Sequence, residues 1–275
     1  MKTKLKGGDL FVHLLLLLII AGILYPIIFA ASSSIKSMSE VMGNVLGLIP
    51  KRPTLESYKT ITTKVPFLKI VFNTVTIASI AMLFKIVTSF IVAYSFVFFA
   101  FPGKNALYFV LISTMFIPFT VTMIPNYITI SRMGLLNNIY GVVLPQLSDA
   151  MGIFLLRQHM RGVPLSLIEA AKLERTPHLT IMARVILPVI RPAIISTGII
   201  FFVNSWNEYV WPKLILRTEG NFTLSLAAQV FLGAEGSADM NISMAMAVAT
   251  MIIPLVLFLS CQKFIMSTFA TSGIK

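Results

Sequence analysis

The sequence predicts an all-α membrane protein with six transmembrane helices. Three observations carry this: a scarcity of charge, apolar runs long enough to cross a bilayer, and basic residues gathered between those runs. Of 275 residues, 57% are hydrophobic and only 12% are charged, about half the charged share of a typical soluble domain. A globule so composed would present wide apolar patches to water, so lipid is the fitting solvent. Crossing a hydrocarbon core of about 30 Å takes about 20 apolar residues as a helix. A helix is also the form in which such a segment pairs its own backbone polar groups.

The first span is read at 10–31. It is longer than a signal-peptide core and lacks a clean cleavage site, so it reads as retained. The second, 70–101, is over-long and interrupted by Lys85. The third, 106–130, contains Pro118 and Pro125. The fourth is 139–156, the fifth 192–209 and the sixth 242–264. Two polar segments, 32–64 and 217–239, share one side, and the second reads as loop. Neither is long enough for a catalytic domain.

Six spans put both termini on one face. Basic residues there are Lys2, Lys4, Lys6, Lys104, Arg157, Arg161, Lys172, Arg175, Arg184, Arg191, Lys263 and Lys275. These twelve face eight on the other side, and the richer side is cytoplasmic. Both ends are therefore expected in the cytoplasm, the chain being a multi-pass protein of the cytoplasmic membrane. The net charge of +12 orients the chain, and nucleic acid is not an expected partner.

Cys261 is the single cysteine, which excludes an internal disulfide and a Cys-based metal site. His13, His159 and His178 are isolated along the sequence, so no metal site is expected. The chain has no G-x-x-x-x-G-K-[ST] phosphate loop. It is expected to bind no cofactor itself and not to be an enzyme. Any ATP hydrolysis belongs to another subunit.

The stretch between the fourth and fifth spans differs from the rest. Pro164 suits the first position of a helix. Leu165, Ile168, Ala171 and Lys172 fall at helical spacing, as do Glu169 and Leu173. Thr176 reads as the N-cap of a second helix with Pro177 at its first position, ending near Pro188. Two readings fit this pattern. One is a helix–turn–helix projecting into the cytoplasm, where the small Ala170 and Ala171 admit a partner closely. The other is an amphipathic connector lying on the lipid surface.

Glu169-Ala170-Ala171, followed by Ile186-Leu187-Pro188, resembles the EAA loop of ABC-importer permeases. Further segments resemble MalG-like permease subunits of carbohydrate ABC importers. They are Ala93-Tyr94 with Phe101-Pro102-Gly103-Lys104, then Pro118 to Pro125, then Gly134-Leu135-Leu136-Asn137-Asn138. They continue with Ser205-Trp206-Asn207-Glu208 and Trp211-Pro212, and end at Gly273-Ile274-Lys275. Six pieces in the right order make the likeness specific from about residue 73 onward.

The resemblance implies the type I ABC importer permease fold. It divides the chain into 1–68 (first span and outer loop), 69–266 (transmembrane domain, coupling helices at 164–187) and 267–275 (cytoplasmic tail). It implies a second homologous permease, two ATPase subunits holding ATP and Mg, an extracytoplasmic solute-binding protein and a sugar substrate. Glu169, Ala170, Ala171, Lys172, Glu174 and Arg175 would couple to the ATPases, and Gly273 and Lys275 in the tail would contact them. One departure stands out. The family usually has Asp-Gly after the EAA-x-x, where this chain has Glu174-Arg175. If that turn is left-handed, Arg costs roughly 1–2 kcal/mol relative to Gly.

Asn126 and Tyr127 follow Pro125, where a disturbed helix can open polar groups to a cavity. Asn204, Trp206, Asn207 and Glu208 cluster in the outer half of the fifth span. Rings stack on sugar C–H faces and amides pair with hydroxyls, so these six are candidates for the solute path. An interfacial aromatic belt with helix–helix hydrogen bonds is the alternative. Lys85 either packs against protein or snorkels from a tilted helix. Asp and Glu read as lying almost wholly in loops, and no inverted repeat is seen, which argues against an ion-coupled secondary transporter. An importer of a non-sugar solute is the nearer alternative.

Overall fold

The computed structural model describes residues 7–44, 47–234 and 240–273. In chain order the α-helices are α1 (Gly7–Ser34), α2 (Met38–Gly43), α3 (Glu56–Lys64), α4 (Phe67–Phe98) and α5 (Lys104–Ser113). Then come α6 (Phe119–Arg132), α7 (Ile139–Val143), α8 (Ala150–Arg161), α9 (Leu165–Leu173) and α10 (His178–Ile181). The last are α11 (Leu187–Val189), α12 (Arg191–Asn207), α13 (Val210–Ile215), α14 (Leu224–Ala234) and α15 (Met240–Gly273). No strand occurs among the described residues.

Three stretches are long and apolar enough to cross a membrane: Gly8–Ser34, Phe67–Phe98 and Met240–Phe264. Three bent pairs complete six spans when each pair is one crossing. Lys104–Phe116 meets Phe119–Arg132 at 95°, Ile139–Gln146 meets Ala150–Arg161 at 46°, and His178–Val189 meets Arg191–Asn207 at 83°.

The breaks have local causes. Proline pushes its predecessor out of the helical region, and Ile117 before Pro118 is extended at φ −81° and ψ 114°. Pro125, read as a second disturbance, sits inside α6 without ending it. At the second break Asp149 is extended, and its carboxylate accepts N–H groups of Met151 at 2.9 Å and Gly152 at 3.3 Å. That is an N-cap opening α8. The third break falls at Ile190, just before Pro192 in the first turn of α12.

The segment read as loop at 217–239 is helical from Leu224 to Ala234. Thr223 accepts the N–H of Leu226 on its hydroxyl at 3.3 Å, a cap the polar composition concealed. α4, at 32 residues, rises about 48 Å, more than the hydrocarbon core.

The chain forms two compact units. One comprises Met1–Phe67 and Ala228–Ile252. Its α1 is apolar and exposed on every face until its last turn, where Ser32, Ser33 and Ser34 are buried, the state of a helix whose solvent is mostly lipid. The polar segment after it folds locally. The Tyr58 hydroxyl donates to Ser34 Oγ at 2.9 Å, and the Glu40 carboxylate accepts the Lys51 N–H at 2.7 Å. Lys36 is buried, with its ammonium donating to the Gly47 carbonyl.

The second unit comprises Leu68–Ala227 and Ile253–Lys275 and holds two apolar cores. One gathers Ile77, Ile130, Val142, Trp211, Ile215 and Leu226. The other gathers Ala93, Tyr94, Leu156, Met160, Ile168, Ile181 and Ile186. Gly152 lets α4, α8 and α12 meet closely, since a Cβ there would fall 2.5 Å from both the Phe201 ring and Ser89 Oγ.

Candidate coupling surface and solute path

The 164–187 stretch is a helix pair, as its periodicity predicts. Each helix starts one residue later than the sequence reading. Pro164 and Pro177 sit in the N-cap position with extended ψ of 127° and 146°, and Leu165 and His178 begin the helices. Thr176 therefore precedes the cap instead of forming it. A π-helical turn, Met182–Ile186, runs directly into Pro188. Pro188 brings no N–H and a ring that crowds the preceding turn, and a widened turn accommodates it without a break.

The pair has two unlike faces. Its inner face, Ile168, Ile181 and Ile186, is buried against Ala93 and Tyr94 of α4 and Leu156 and Met160 of α8. His178, isolated in sequence, is a bolt here. Its Nδ1 lies 2.9 Å from the Tyr94 hydroxyl, and its ring centroid is 4.6 Å from that of Phe99. The outer face exposes Glu169, Ala170, Lys172, Glu174 and Arg175. It also carries Leu173 at 86% exposure and Leu179 at 79%. The sequence reading used Leu173 only for its helical spacing and did not single out Leu179. Single exposed apolar side chains are ordinary, and the signal is their position beside the charged turn.

Ala170 and Ala171 do not share an environment. Ala170 is exposed, whereas Ala171 is half-buried and packs on the core beneath. The adjacent small residues thus serve opposite faces.

The turn between the helices is left-handed at Arg175, with φ 54°. The Thr176 N–H donates to the Ala171 carbonyl at 3.0 Å and the Arg175 N–H to the Lys172 carbonyl at 2.9 Å. This is the paired closure of a helix end that usually recruits glycine. Arg175 therefore bears the cost anticipated for it, roughly 1–2 kcal/mol.

The solute-path candidates separate on inspection. Trp206 is buried, its ring stacked on Phe202 with centroids 5.8 Å apart. The Glu208 carboxylate accepts the Val210 N–H at 2.8 Å and the Trp211 N–H at 3.3 Å, capping α13. The Tyr127 hydroxyl accepts from Arg217 at 3.4 Å. These three have structural partners. Asn204 and Asn207 are exposed on α12, in line with the exposed Ile200, and Asn126 is half-buried. Gly273 closes α15, and Lys275 of the tail lies outside the described residues.

For two residues singled out in the sequence, Asn137 and Lys85, only the structure names the partners. Asn137, at φ 56°, joins distant chain. Its N–H donates to the Ile215 carbonyl at 2.7 Å, and its side-chain oxygen accepts from the N–H groups of Arg217 at 3.0 Å and Thr218 at 3.1 Å. The Asn221 amide donates to its carbonyl at 2.7 Å. Second, Lys85 pairs with Asp149 at 3.4 Å, its ammonium 5.3 Å from the Phe201 ring centroid. Asp149 sits in the non-helical break inside the fourth span, which is consistent with the expectation that acids lie almost wholly in loops. A charge at that depth is retained by pairing. The clue in the sequence was the N-cap pattern of Asp149 before an apolar helix.

A family model described as a binding-protein-dependent transport system inner membrane component matches residues 85–266. The chain belongs to this family. The permease is 29% identical over 266 residues to the sn-glycerol-3-phosphate transport system permease protein UgpE of Salmonella typhi, covering 94% of each. It is 26% identical over 254 residues to the arabinooligosaccharides transport system permease protein AraQ of Halalkalibacterium halodurans, covering 91% of each. Its fold matches a chain of a bacterial ABC transporter involved in the import of the acidic polysaccharide alginate. The TM-score there is 0.84 at 23% identity, over 95% of this chain and 99% of the other. A second match, at TM-score 0.68 and 16% identity, is to the alginate transporter in complex with alginate pentasaccharide-bound periplasmic protein. It covers 92% of this chain and 93% of that one. The permease thus has the importer fold and is a multi-pass inner-membrane component of a transport system.

Proposed function

We propose that the permease is one of two membrane subunits of an ATP-driven, binding-protein-dependent importer moving a sugar or oligosaccharide across the cytoplasmic membrane. The observation that carries this is the two-faced helix pair at 164–187. One face is packed on α4 and α8, and the other leaves Leu173, Leu179 and the Glu169–Arg175 charges exposed. A rigidly seated element with an unpartnered amphipathic face can pass motion from an attached subunit to the spans. Both termini lie in the cytoplasm in this reading, with residues 1–68 as first span and outer loop, 69–266 as the transport domain and 267–275 as a tail reaching the ATPases.

Two ATPase subunits, holding ATP and Mg²⁺, dock on the coupling helices of this permease and its homologous partner. A solute-binding protein delivers cargo to the outer side. ATP binding favours one state of the spans and hydrolysis restores the other, because the nucleotide states differ in affinity for the two arrangements. Asn204, Asn207 and Asn126 supply amide groups toward the path. Trp206 and Glu208 act through shape, holding the end of α12 and the start of α13. The likeness to a permease named for arabinooligosaccharides supports a saccharide. The likeness to one named for glycerol-3-phosphate supports a phosphorylated polyol as the second reading.

The test is purification of the tagged permease with its native partners, followed by reconstitution with binding protein in proteoliposomes. Labelled arabinooligosaccharide and glycerol-3-phosphate are offered side by side. Uptake of one solute only when Mg-ATP reaches the ATPase side is the expected result. Uptake that continues after the ATPases are stripped away would overturn the ATP-driven reading.

A further inference from the structure

The turn 101–104, which resembles its counterpart in importer permeases without a role assigned above, brings Lys104 to the wall of a cavity. Gly103 caps α5 at φ 75°, directing Lys104 back toward the end of α4. There its ammonium donates to the Phe99 carbonyl at 2.8 Å. The cavity measures about 400 Å³ and is lined on its polar side by Lys104, Asn105, Arg157 and Arg161. Apolar residues such as Phe96 and Val163 line the remainder. No Asp or Glu lines it, so three cations converge with no carboxylate among them. The Arg157 guanidinium lies 3.9 Å from the Tyr108 ring centroid, and its Nε is buried without a hydrogen-bond partner. Stacking fixes the plane of this group.

We infer that this cavity binds a phosphate group, and that the phosphate is the headgroup of an anionic phospholipid. Guanidinium and ammonium groups around a small cavity suit a phosphodiester. Two observations favour lipid over free phosphate. The lining is apolar as well as cationic. The next turns of α5 expose Leu107, Phe109 and Val110 at 55–73%, an apolar face on which acyl chains lie beside the headgroup. Basic pockets between spans at the cytoplasmic boundary are where anionic headgroups gather. The inference depends on the membrane placement of the chain and not on the ATP-driven reading.

The experiment is native mass spectrometry of the full-length permease, offered dioleoyl-phosphatidylglycerol, dioleoyl-phosphatidylcholine or inorganic phosphate in separate arms. The wild type is expected to retain phosphatidylglycerol over phosphatidylcholine, with no displacement by millimolar phosphate. Each of Arg157→Gln, Arg161→Gln and Lys104→Gln should lower retention about fivefold. Arg161 is exposed, so its variant reads the site even if Arg157→Gln fails to fold. Equal retention of the two lipids would overturn the inference, as would undiminished phosphatidylglycerol binding in folded Arg161→Gln and Lys104→Gln. Displacement by inorganic phosphate would overturn the lipid assignment. Loss of the lipid adduct whenever an ATPase subunit is bound would assign the cavity to a protein carboxylate instead.

Discussion

Two helix ends in this permease close with the same hydrogen bonds and different residues. After α6, the Leu135 N–H donates to the Ile130 carbonyl at 3.1 Å and the Gly134 N–H to the Ser131 carbonyl at 3.0 Å. After α9 the same pattern centres on Arg175. Gly134 takes φ 70° without steric cost, whereas Arg175 takes φ 54° against its Cβ. The chain beyond each turn also differs. The first turn is stitched into the same chain three residues on, where Asn137 ties it to 215–221. The second turns its Leu173, Glu174 and Arg175 outward. The first turn is an internal joint optimised for the fold. The second keeps a costly residue at an exposed position, which is sensible when that residue serves something outside the chain.

Substitutions at each turn break or sharpen this contrast. The largest expected effect is at the internal joint. Asn137→Ala removes the side-chain acceptor of Arg217 and Thr218 while leaving a left-handed backbone, at a cost of about 3 kcal/mol. Thermal unfolding of the purified permease in detergent should show this as a clear drop in midpoint. An unchanged midpoint would dissolve the idea of a joint. Next comes Leu173→Asp at the outward turn. It should leave the unfolding midpoint of the isolated permease in place yet weaken ATPase binding by roughly 2 kcal/mol, about thirtyfold, as read by co-purification or titration. A midpoint that falls as binding falls would make Leu173 a structural residue. The smallest effects come from the two closing residues. Gly134→Ala should cost about 1 kcal/mol, and Arg175→Gly should gain about the same. If Arg175→Gly stabilises the permease and slows ATP-driven uptake together, the arginine is held for function.

Much of the architecture was legible because its signals are local. Apolar length marked the spans, and Pro164, Pro177 and Pro188 bounded the helix pair between them to within a residue. The left-handed turn was legible from a mismatch, Glu174-Arg175 standing where the EAA loop that this stretch resembles usually has Asp-Gly. The bends were less so. Pro118 and Pro125 look alike in sequence, yet only Pro118 breaks the helix. Thr223 was hidden inside a stretch polar enough to read as loop.

The sequence by itself determined the solvent, the number of apolar segments and the place of the 164–187 helix pair, since each depends on residues within a few turns of one another. Only the tertiary structure decided which side of that pair is free. It turned Ala170 out and Ala171 in, joined His178 to Tyr94, buried Trp206 on Phe202 and brought Asp149 to Lys85. Most of these depend on groups many turns apart in the chain, and a helical repeat carries no record of which neighbour each of its faces will meet.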